Sequence, residues 1–328
     1  MKAAVYSRYG PPEVVEIQQV DKPIPKEDEL LVRVYATTVN RTDCGFRSAQ
    51  YFVSRIFSGL FNPKNKILGN EFAGVVESVG TKVSEFKPGD KVFGYNDYTF
   101  GGHAEYLSIA VKGAVTTMPS NCSFEEAAPI IEGAHYAYCD LRAARISAGQ
   151  QVLIYGASGG IGSAAVQLAK HFGAIVTATC FGRHVELVSS LGADRVVDLD
   201  TEDFTLLQQQ YDLVFDAVGK SSFGVCKPLL KPKGIYVSTE LGKHSENIWR
   251  AITTSFSGGK RVIFPLPSIN KQDLEFLKGL VETGVFRAVI DRKYPLDNIV
   301  EAYSYVETGQ KTGNVIITVH TETPETIA

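Results

Sequence analysis

A glycine-rich turn near the middle of the chain has the residues that a diphosphate requires. The apolar run Gln151–Tyr155 precedes it, an apolar-faced helix is predicted after it, and the turn reads Gly156-Ala157-Ser158-Gly159-Gly160-Ile161-Gly162. A pyrophosphate binds to unpaired backbone N–H groups at a helix N-terminus, and side chains longer than Cβ would hold it away. Gly159 and Gly160 are predicted to let the backbone reach the phosphates, and Gly162 to let the helix pack on its strand. We therefore predict dinucleotide binding at 158–162; the alternative is a glycine turn that serves only tight packing.

The next apolar run, Ile175–Cys180, bears on which dinucleotide fits. A carboxylate at the end of this strand would accept hydrogen bonds from the ribose 2′-hydroxyl of NADH and repel the 2′-phosphate of NADPH. The chain continues Cys180-Phe-Gly-Arg183-His184 and has no acidic residue before Glu186. Arg183 can bind a phosphate through a fork of hydrogen bonds, and Cys180 leaves room for it. NADPH is therefore the predicted cofactor, with a solvated Arg183 as the alternative.

These residues need a scaffold, and the sequence predicts one of alternating strands and helices. Ser123-Phe-Glu-Glu126 resembles a helix capping box and opens a helical stretch to about Ala144. Strands and helices then alternate, with a helix predicted at 204–210. Repeated β-α-β units predict a Rossmann-type α/β fold with a doubly wound parallel sheet. The ends of the fourth and fifth strands are expected at the cofactor edge of the sheet, at Asp216, Val218, Gly219, Leu241 and Gly242.

The first 120 residues predict a β-rich module instead. Short β-type runs such as 30–39 and 71–79 are separated by proline and glycine turns, which is typical of a barrel or sandwich. Residues 46–63, which include Tyr51, have helical spacing and are predicted either as local core or as a cap over a ligand cleft. After Pro265, a helix at 271–283, a strand at 287–291, a helix at 296–308 and a strand at 314–319 are expected to return to this module. Residues 320–328 are expected to form a mobile tail.

The composition limits the class of protein. The chain has 328 residues, which at roughly 150 per domain suggests about two domains. Its 33 Lys plus Arg and 36 Asp plus Glu give a net charge of -3, which argues against a nucleic-acid-binding or anionic-membrane-binding protein. No run approaches the roughly 18 apolar residues of a membrane span, and residues 1–9 lack a secretory apolar core. Five scattered cysteines without a C-x-x-C pair make a disulfide framework improbable. A cytoplasmic protein is expected.

Motifs in the first module match a known family in order and type. They are Val39-Asn40-Arg-Thr-Asp43, Leu68-Gly-Asn70-Glu71-Phe-Ala-Gly74, Phe86-Lys-Pro88-Gly89-Asp90 and Gly102-His-Ala104-Glu105-Tyr106. With the central glycine turn, they make the chain resemble the medium-chain dehydrogenase/reductase superfamily, in its zinc-free quinone oxidoreductase branch. The resemblance implies a β-rich, GroES-like catalytic domain at 1–120 and 265–328, a Rossmann dinucleotide-binding domain at 121–264, and a homodimer.

The resemblance also bears on metal and substrate. Zinc-dependent relatives have Cys where Asn40 stands and His where Asn70 stands. Asn is a neutral oxygen ligand that does not replace thiolate or imidazole for Zn²⁺, so no metal site is expected. Without a Lewis acid, the expected acceptors are already electron-poor, namely quinones and α,β-unsaturated carbonyl compounds (enones).

Site residues follow from the same resemblance. Asn40 is implied beside the nicotinamide ribose or the substrate, and Tyr51 aligns with a hydrogen-bonding cleft tyrosine, although a core aromatic is an equal alternative. Tyr136 stands where a threonine commonly meets the nicotinamide, and Asp43 is retained with Asn40 and Tyr51, which favours an enzyme. Positions implied to close over the nicotinamide are Phe264 and Asn314.

The chain also departs from the branch. A second cleft tyrosine aligns with Gly45, and a tyrosine on the 2′-phosphate side is replaced by Leu199, so Arg183 would bear more of that contact. His135 lies near the predicted contacts and is expected to be a satisfied or surface histidine. Two alternatives to the reductase stay open: a metal-free alcohol or aldehyde dehydrogenase, and a non-catalytic NADPH-binding sensor or scaffold protein.

Overall fold

The computed structural model describes residues 1–49, 55, 58–256 and 258–321. These residues form two compact units. One lies within Met1–Glu132 and Ile269–Ala328, and the other is Gly133–Ser268. No helix in the described ranges is both long enough and apolar enough to cross a membrane.

The first unit is built on a largely antiparallel sheet. Numbered along the chain, its strands are β1 (Lys2–Tyr6), β2 (Val15–Gln19), β3 (Glu29–Val39), β4 (Glu71–Val79), β5 (Lys91–Tyr95), β6 (Tyr106–Ala110), β7 (Ala114–Thr117), β14 (Ile290–Pro295) and β15 (Asn314–Thr318). The sheet order is β14-β15-β3-β4-β5-β7, with β6 also paired to β3, while β1 and β2 form a separate ribbon. The expected return of the C-terminal block is confirmed, because β15 pairs antiparallel with β3.

Strand β3 organises this unit because it is buried along most of both faces. Leu30, Val32 and Val34 on one face pack with Phe72 and other residues of the neighbouring strands. Residues 30–36 are apolar except for the half-buried Arg33, and the buried Thr37 and Thr38 follow them. The strand ends at Val39, and Asn40 caps the helix that follows.

The described part of the first unit has four helices, and all but the last of them begin at a capping box. They are α1 (Arg41–Ser48), α2 (Phe124–Ala127), α8 (Lys271–Glu282) and α9 (Ile299–Glu307). Ser123 and Glu126 form the predicted capping box of α2. The helical stretch predicted to run on to Ala144 is broken by a 3₁₀ turn at Ala128–Ile130, where Pro129 lacks a backbone N–H, before α3 begins (Ile131–Ala143).

The second unit is a parallel sheet covered by helices. Its strands are β8 (Gln151–Tyr155), β9 (Ile175–Cys180), β10 (Arg195–Asp198), β11 (Tyr211–Asp216), β12 (Leu230–Ser238) and β13 (Arg261–Ile263), and its helices beside α3 are α4 (Gly160–His171), α5 (Val185–Ser190), α6 (Phe223–Cys226) and α7 (Glu246–Ser255). The order β10-β9-β8-β11-β12-β13 is that of a doubly wound Rossmann sheet, so the predicted fold class is confirmed. The order reverses between β8 and β11, the position where such sheets bind ligands.

Three sequence predictions of local structure are wrong. The helix predicted at 204–210 is a single 3₁₀ turn, Phe204–Leu206, because only Phe204 is buried and Leu207 returns to extended backbone. The strand predicted at 287–291 lies further along the chain, at Ile290–Pro295 (β14), because its pairing with β15 begins at Ile290. The tail does not start at residue 320, because a ring nitrogen of His320 lies 2.7 Å from the Val34 carbonyl oxygen; residues 322–328 lie outside the described ones.

Two elements that the sequence did not predict complete the units. Helix α1 follows Asn40 directly, and helix α7 and strand β13 extend the second unit at its β12 edge. The cap Asn40-x-x-Asp43 was a signal for α1 in the sequence. Helix α7 has no such signal, because its N-cap residue Ser245 makes no side-chain capping bond.

Candidate functional site

The glycine turn of the second unit has the predicted strand-turn-helix geometry. Strand β8 ends at Tyr155, and α4 begins at Gly160 with Gly159 as its N-cap. Gly156 has a φ of 83°, and a Cβ on Gly162 would lie 2.1 Å from the Gly156 carbonyl oxygen. Both positions therefore require glycine.

Hydrogen bonds hold the turn against strand β9. The Gly156 N–H donates to the Thr179 hydroxyl at 3.2 Å, and the Ala157 N–H donates to the Thr179 carbonyl at 2.9 Å. The first α-helical backbone bond of α4 runs from the Ser163 N–H to the Gly159 carbonyl at 2.8 Å. The N–H groups of residues 160–162 precede this bond and lie at the positive end of a twelve-residue helix.

The front of the turn is open. A Cβ on Gly159 would come no closer than 3.6 Å to another atom, the Gly156 carbonyl oxygen. Ser158, Gly160 and Ile161 are partly exposed. These residues fit a diphosphate, because they present backbone donors at a helix N-terminus with no side chain in front of Gly159.

The region beside Arg183 is of mixed charge, which the sequence argument missed. Arg183 lies in a 3₁₀ turn, and its Nε donates to Nε2 of His184 at 2.9 Å. The carboxylate of Asp200 accepts the Gly182 N–H at 2.9 Å, and a Cβ on Gly182 would lie 2.8 Å from Asp198 Oδ2. These acids follow β10, which runs parallel to β9 with Asp198 opposite Cys180. A search for acids along β9 alone therefore could not find them.

Asp198 and Asp200 also act on Cys180. Burial raises the pKa of the Cys180 thiol to about 11, and the charges of Asp198 and Asp200 add to the shift. Cys180 is thus a neutral thiol at the end of β9.

A buried aspartate shapes the loop after β11. The Asp216 carboxylate accepts N–H groups of Val218 at 3.2 Å, Gly219 at 2.8 Å and Ser221 at 2.9 Å. Its burial raises its pKa, and these bonds oppose the shift. The loop brings the Val218 side chain against the glycine turn, since a Cβ on Gly156 would lie 2.7 Å from Val218 Cγ1.

Helix α3 also reaches the glycine turn through Gly133, where a Cβ would lie 2.6 Å from the Gly160 carbonyl oxygen. Tyr136 is one helical turn further along and packs on the His135 ring, with ring centroids 5.0 Å apart. His135 is buried beside Cys139 and burial lowers its pKa to about 4, so it is neutral. This agrees with the prediction of a satisfied histidine. Leu241 and Phe264 are partly exposed, without a contact to the turn that would assign them a role.

In the first unit, Asn40 and Asp43 cap helix α1 reciprocally. The Asp43 N–H donates to Asn40 Oδ1 at 3.0 Å, and the Asn40 N–H donates to Asp43 Oδ2 at 3.1 Å. Asp43 Oδ1 also accepts the Gly69 N–H at 3.0 Å. Asp43 is wholly buried, and burial raises its pKa to about 7 against these hydrogen bonds. In this geometry Asp43 holds the backbone around Asn40.

The Asn40 side chain continues into a buried polar chain. Asn40 Nδ2 donates to Asn70 Oδ1 at 2.7 Å, and Asn70 Nδ2 donates to Glu132 Oε2 at 2.9 Å. Glu132 accepts two further bonds, from the Tyr95 hydroxyl at 2.6 Å and the Thr42 hydroxyl at 2.6 Å. We call Asn40, Asn70 and Glu132 the amide chain.

A second carboxylate lies beside the amide chain. Glu71 accepts the Thr38 hydroxyl at 2.6 Å and the N–H groups of Ile131 at 3.0 Å and Glu132 at 2.6 Å. Burial and the charge of Glu132 raise the pKa of Glu71 to about 8. Burial likewise raises the pKa of Glu132 to about 7, opposed by its bonds from Thr42 and Tyr95. Both groups are surrounded by O–H and N–H donors, whose hydrogen bonds carboxylate oxygens accept.

Two basic groups lie near these acids. His103 is buried between the Thr38 carbonyl oxygen, 2.7 Å from Nε2, and the Tyr303 hydroxyl, 3.3 Å from Nδ1. Burial lowers its pKa to about 4, so it is neutral and donates from Nε2. Lys311 donates to the Gly313 carbonyl, and burial lowers its pKa, opposed by acidic groups that include Glu71 and Glu132.

The register of the sheet brings Asn314 close to Asn40 in the fold. Val315 pairs antiparallel with Val39, so Asn314, the first residue of β15, is a neighbour of Asn40, which follows β3. Asn314 is buried and its Nδ2 donates to the Val289 carbonyl at 3.0 Å. Tyr51, the other predicted residue of this group, lies outside the described residues. Sequence reasoning gave no role to Thr38, Thr42, Tyr95 and Glu132, which only the fold brings to Asn40 and Asn70.

Comparisons with known proteins give consistent matches. The chain matches the family described as "Alcohol dehydrogenase GroES-like domain" over residues 26–120 and the family described as "Zinc-binding dehydrogenase" over residues 191–317. It is 35% identical over 329 residues to the 2-methylene-furan-3-one reductase of Solanum lycopersicum, covering 97% of this chain and 79% of that one.

Two further matches extend this result. The NADPH-dependent alkenal/one oxidoreductase of Arabidopsis thaliana chloroplasts is 32% identical over 329 residues, with 97% of this chain and 79% of that one covered. The solved structure of the quinone oxidoreductase from Coxiella burnetii superposes with a TM-score of 0.87 at 28% identity, over 98% of this chain and 99% of that one.

Proposed function

The chain belongs to the medium-chain dehydrogenase/reductase superfamily, in its quinone oxidoreductase-like branch, and on that premise we propose that this oxidoreductase transfers hydride from NADPH to a quinone or an enone without zinc. Relatives named alkenal/one oxidoreductase and quinone oxidoreductase support these acceptor classes. Their names and the family support a nicotinamide cofactor.

The observation that carries the proposal is the open glycine turn. Backbone N–H groups at residues 160–162 would bind the diphosphate, with Gly159 leaving space in front and Gly162 keeping α4 against the turn. Val218 and Gly219 would border the cofactor, because the loop that Asp216 holds packs on Gly156. Further proposed contacts in this unit are Ser158, Ile161, Cys180, Leu241, Phe264 and Tyr136.

Asn40 is proposed to act on the acceptor. When bound, reduced nicotinamide supplies a hydride to an electron-poor carbon. The acceptor gains two electrons, negative charge collects on its carbonyl oxygen, and a proton from solvent completes the reduction. An amide N–H of Asn40 that donates to this oxygen would stabilise that charge, which is the role that a metal has in zinc-dependent relatives. Asp43 would support Asn40, and Asn314 and Tyr51 remain proposed neighbours of the reacting groups.

The donor set supports zinc independence. The side-chain oxygens of Asn40 and Asn70, the atoms that could bind a metal, already accept hydrogen bonds from the Asp43 N–H and from Asn40 Nδ2. Within the described ranges, no three His, Cys, Asp or Glu side chains are grouped so as to hold a metal ion. We expect dialysis against a chelator to leave turnover unchanged, and a tightly held zinc found by elemental analysis would contradict this.

NADPH preference is proposed from Arg183, against Asp198 and Asp200. In the part of the chain that the structure describes, the Arg183 guanidinium forms no ion pair, so it is available to a 2′-phosphate. We expect Arg183→Ala to weaken NADPH binding roughly 10-fold or more and NADH binding little, since a charge-assisted bond is lost. Arg195→Ala is the matched control, because Arg195 lies in the same unit and pairs with Glu202. Equal losses for both cofactors in Arg183→Ala would refute the assignment.

Helix α7 supports a homodimer. It turns Asn247 toward its own unit and exposes Trp249, Ile252 and Phe256, with Trp249 64% and Phe256 88% exposed. The helix lies beside β13, the last described strand of the sheet at that edge. A second copy would cover the apolar face and the strand edge in a symmetric contact. We expect sedimentation of a dimer by wild type and of a monomer by Trp249→Glu.

A turnover assay decides between this function and its alternatives. Stopped-flow oxidation of NADPH should occur with small quinones and enones and not with simple aldehydes. Turnover confined to aldehydes, or to alcohols with NADP⁺, would favour the metal-free alcohol dehydrogenase. Cofactor binding by calorimetry without turnover of any acceptor would favour the non-catalytic sensor or scaffold.

A further inference from the structure

We propose that Asn70 and Glu132 are positioning residues that fix the direction of the Asn40 side-chain amide, so that its nitrogen is presented as a donor. The proposal rests on the proposed role of Asn40 toward a carbonyl oxygen. It assigns a function to two buried residues that do not themselves face the acceptor.

The direction is set at one end by a carboxylate. Glu132 Oε2 accepts from the Tyr95 hydroxyl at 2.6 Å and from Asn70 Nδ2 at 2.9 Å, so the Asn70 amide points its NH₂ group toward this carboxylate. The Asn70 oxygen then faces Asn40 and accepts from Asn40 Nδ2 at 2.7 Å. Thr42 and Tyr95 donate to the same carboxylate and keep it in place.

The other end of the chain requires the same direction. The first turn of α1 presents the Asp43 N–H, a group that only donates, and Asn40 Oδ1 accepts it at 3.0 Å. Reversing the Asn40 amide would set NH₂ against this N–H and oxygen against the Asn70 oxygen. Both ends therefore select the same orientation of the Asn40 amide, and the reversed amide would satisfy neither end.

One hydrogen of Asn40 is left weakly bound. Asn40 Nδ2 uses one hydrogen for Asn70, and its second contact is to the Thr38 hydroxyl at a long 3.5 Å. Thr38 gives its own hydrogen to Glu71 at 2.6 Å, so its oxygen faces Asn40 as an acceptor only. The second Asn40 hydrogen is the one that a stronger acceptor, such as a carbonyl oxygen that gains charge, would take.

Burial separates the roles of the two amides. Asn70 is fully buried, whereas Asn40 keeps 5% exposure. A residue with no exposed surface in the described structure acts on a bound molecule through a neighbour. Asn70 thus positions Asn40, which makes the contact, and Glu132 acts one step further back by accepting the NH₂ group of Asn70.

Two replacements of equal size at Asn70 test the proposal. Asn70→Leu removes the oxygen that accepts from Asn40, while Asn70→Asp retains an oxygen there. We expect Asn70→Leu to lower kcat for quinone or enone reduction roughly 10- to 100-fold with NADPH affinity changed less than about twofold. Asn70→Asp, assayed at pH 6 where the added acid can share a proton with Glu132, should recover most of kcat. Equal loss in both variants, or no loss in Asn70→Leu, would overturn the proposal.

A second measurement does not depend on turnover or on the Leu variant folding. In protein with ¹⁵N-labelled asparagine side chains, the two NH₂ hydrogens of Asn40 should be more inequivalent than those of an ordinary asparagine amide, because one of them is strongly shifted by its bond to Asn70. The assignment comes from loss of the signal in Asn40→Ala. Glu132→Leu should reduce that inequivalence, and an unchanged signal would refute the amide chain. Absence of any turnover in wild type, with the NMR result as expected, would instead refute the proposed function.

Discussion

Two helices of the first unit begin with the same capping motif but lie in different surroundings. Asn40 and Asp43 cap α1, and Asn270 and Asp273 cap α8, each with the spacing Asn-x-x-Asp. The Asp N–H donates to the Asn side chain at 3.0 Å in both, and the Asn N–H donates back at 3.1 and 3.2 Å. The capping sequence alone is therefore enough to start a helix.

The surroundings separate the two caps. Asn270 is exposed, whereas Asn40 is almost wholly buried and donates to Asn70. The difference comes from β4 and α3, which bring Asn70 and Glu132 to Asn40 from distant parts of the chain. A local motif thus specifies the cap, and only long-range pairing turns one of the caps into a candidate for chemistry.

The largest expected effect that separates the two caps is on activity. Asn40→Ala should lower kcat/KM for quinone or enone reduction about 100-fold, because the proposed donor to the acceptor oxygen is lost. Asn270→Ala removes an equivalent cap at the surface and should leave kcat/KM within about twofold. Steady-state kinetics of the two variants, with NADPH saturating, gives the comparison. Comparable losses would mean that Asn40 serves only the fold.

The next effect is on stability. Asn270→Ala should reduce the free energy of unfolding by about 1 kcal/mol, the usual value of an N-cap. Asn40→Ala should cost about 3 kcal/mol, because it also leaves the buried Asn70 oxygen and Asp43 N–H without partners. Urea denaturation followed by circular dichroism measures both. If the two variants lost equal stability, the bond to Asn70 would contribute nothing net.

The same contrast explains how far the sequence could be read. The glycine turn and the parallel sheet follow from local patterns, because a β-α-β unit places its turn, strand and helix within a few dozen residues. Asp198 and Asp200 were missed because parallel pairing, not chain order, brings them to Gly182. Glu132 was missed because a lone glutamate in the first turn of a helix has no pattern until Thr42, Asn70 and Tyr95 surround it.

Local sequence patterns also failed to predict the structure in two places where burial does not follow the pattern. The apolar residues of α7 face solvent and its inward face carries Asn247, so the apolar side of this helix does not mark the side that packs on its unit. The helix predicted at 204–210 had one buried residue to hold it. In both cases the contribution of tertiary packing was larger than that of the local pattern.

The smallest effect concerns the pH dependence of the buried cap. Burial raises the pKa of Asp43 to about 7, and that of Glu71 and Glu132 to about 8 and 7, well above the ordinary values of unfolded carboxyl groups. The folded chain therefore binds protons more tightly than the unfolded chain. Its free energy of unfolding should fall as pH rises from about 6.5 to about 8, which is opposite to the effect of salt-bridged surface acids. Below about pH 6.5 the buried His103 and His135, whose pKa values burial lowers to about 4, oppose this slope. Denaturation midpoints at pH 5, 6, 7 and 8 measure the slope.

Replacing one of the acids assigns part of that slope to the cap of α1. Asp43→Asn removes a titrating group from the buried capping box of α1 and keeps the side chain's size. The stability of this variant should therefore decline less steeply with pH than that of wild type. The variant should be less stable at every pH, since an amide NH₂ now faces one of the N–H groups that Asp43 accepts. If the free energy of unfolding of wild type instead rose toward pH 8, the N–H donors around these carboxylates would lower their pKa values by more than burial raises them. In that case the buried cap would be an ionised anchor for Asn40 throughout the neutral range.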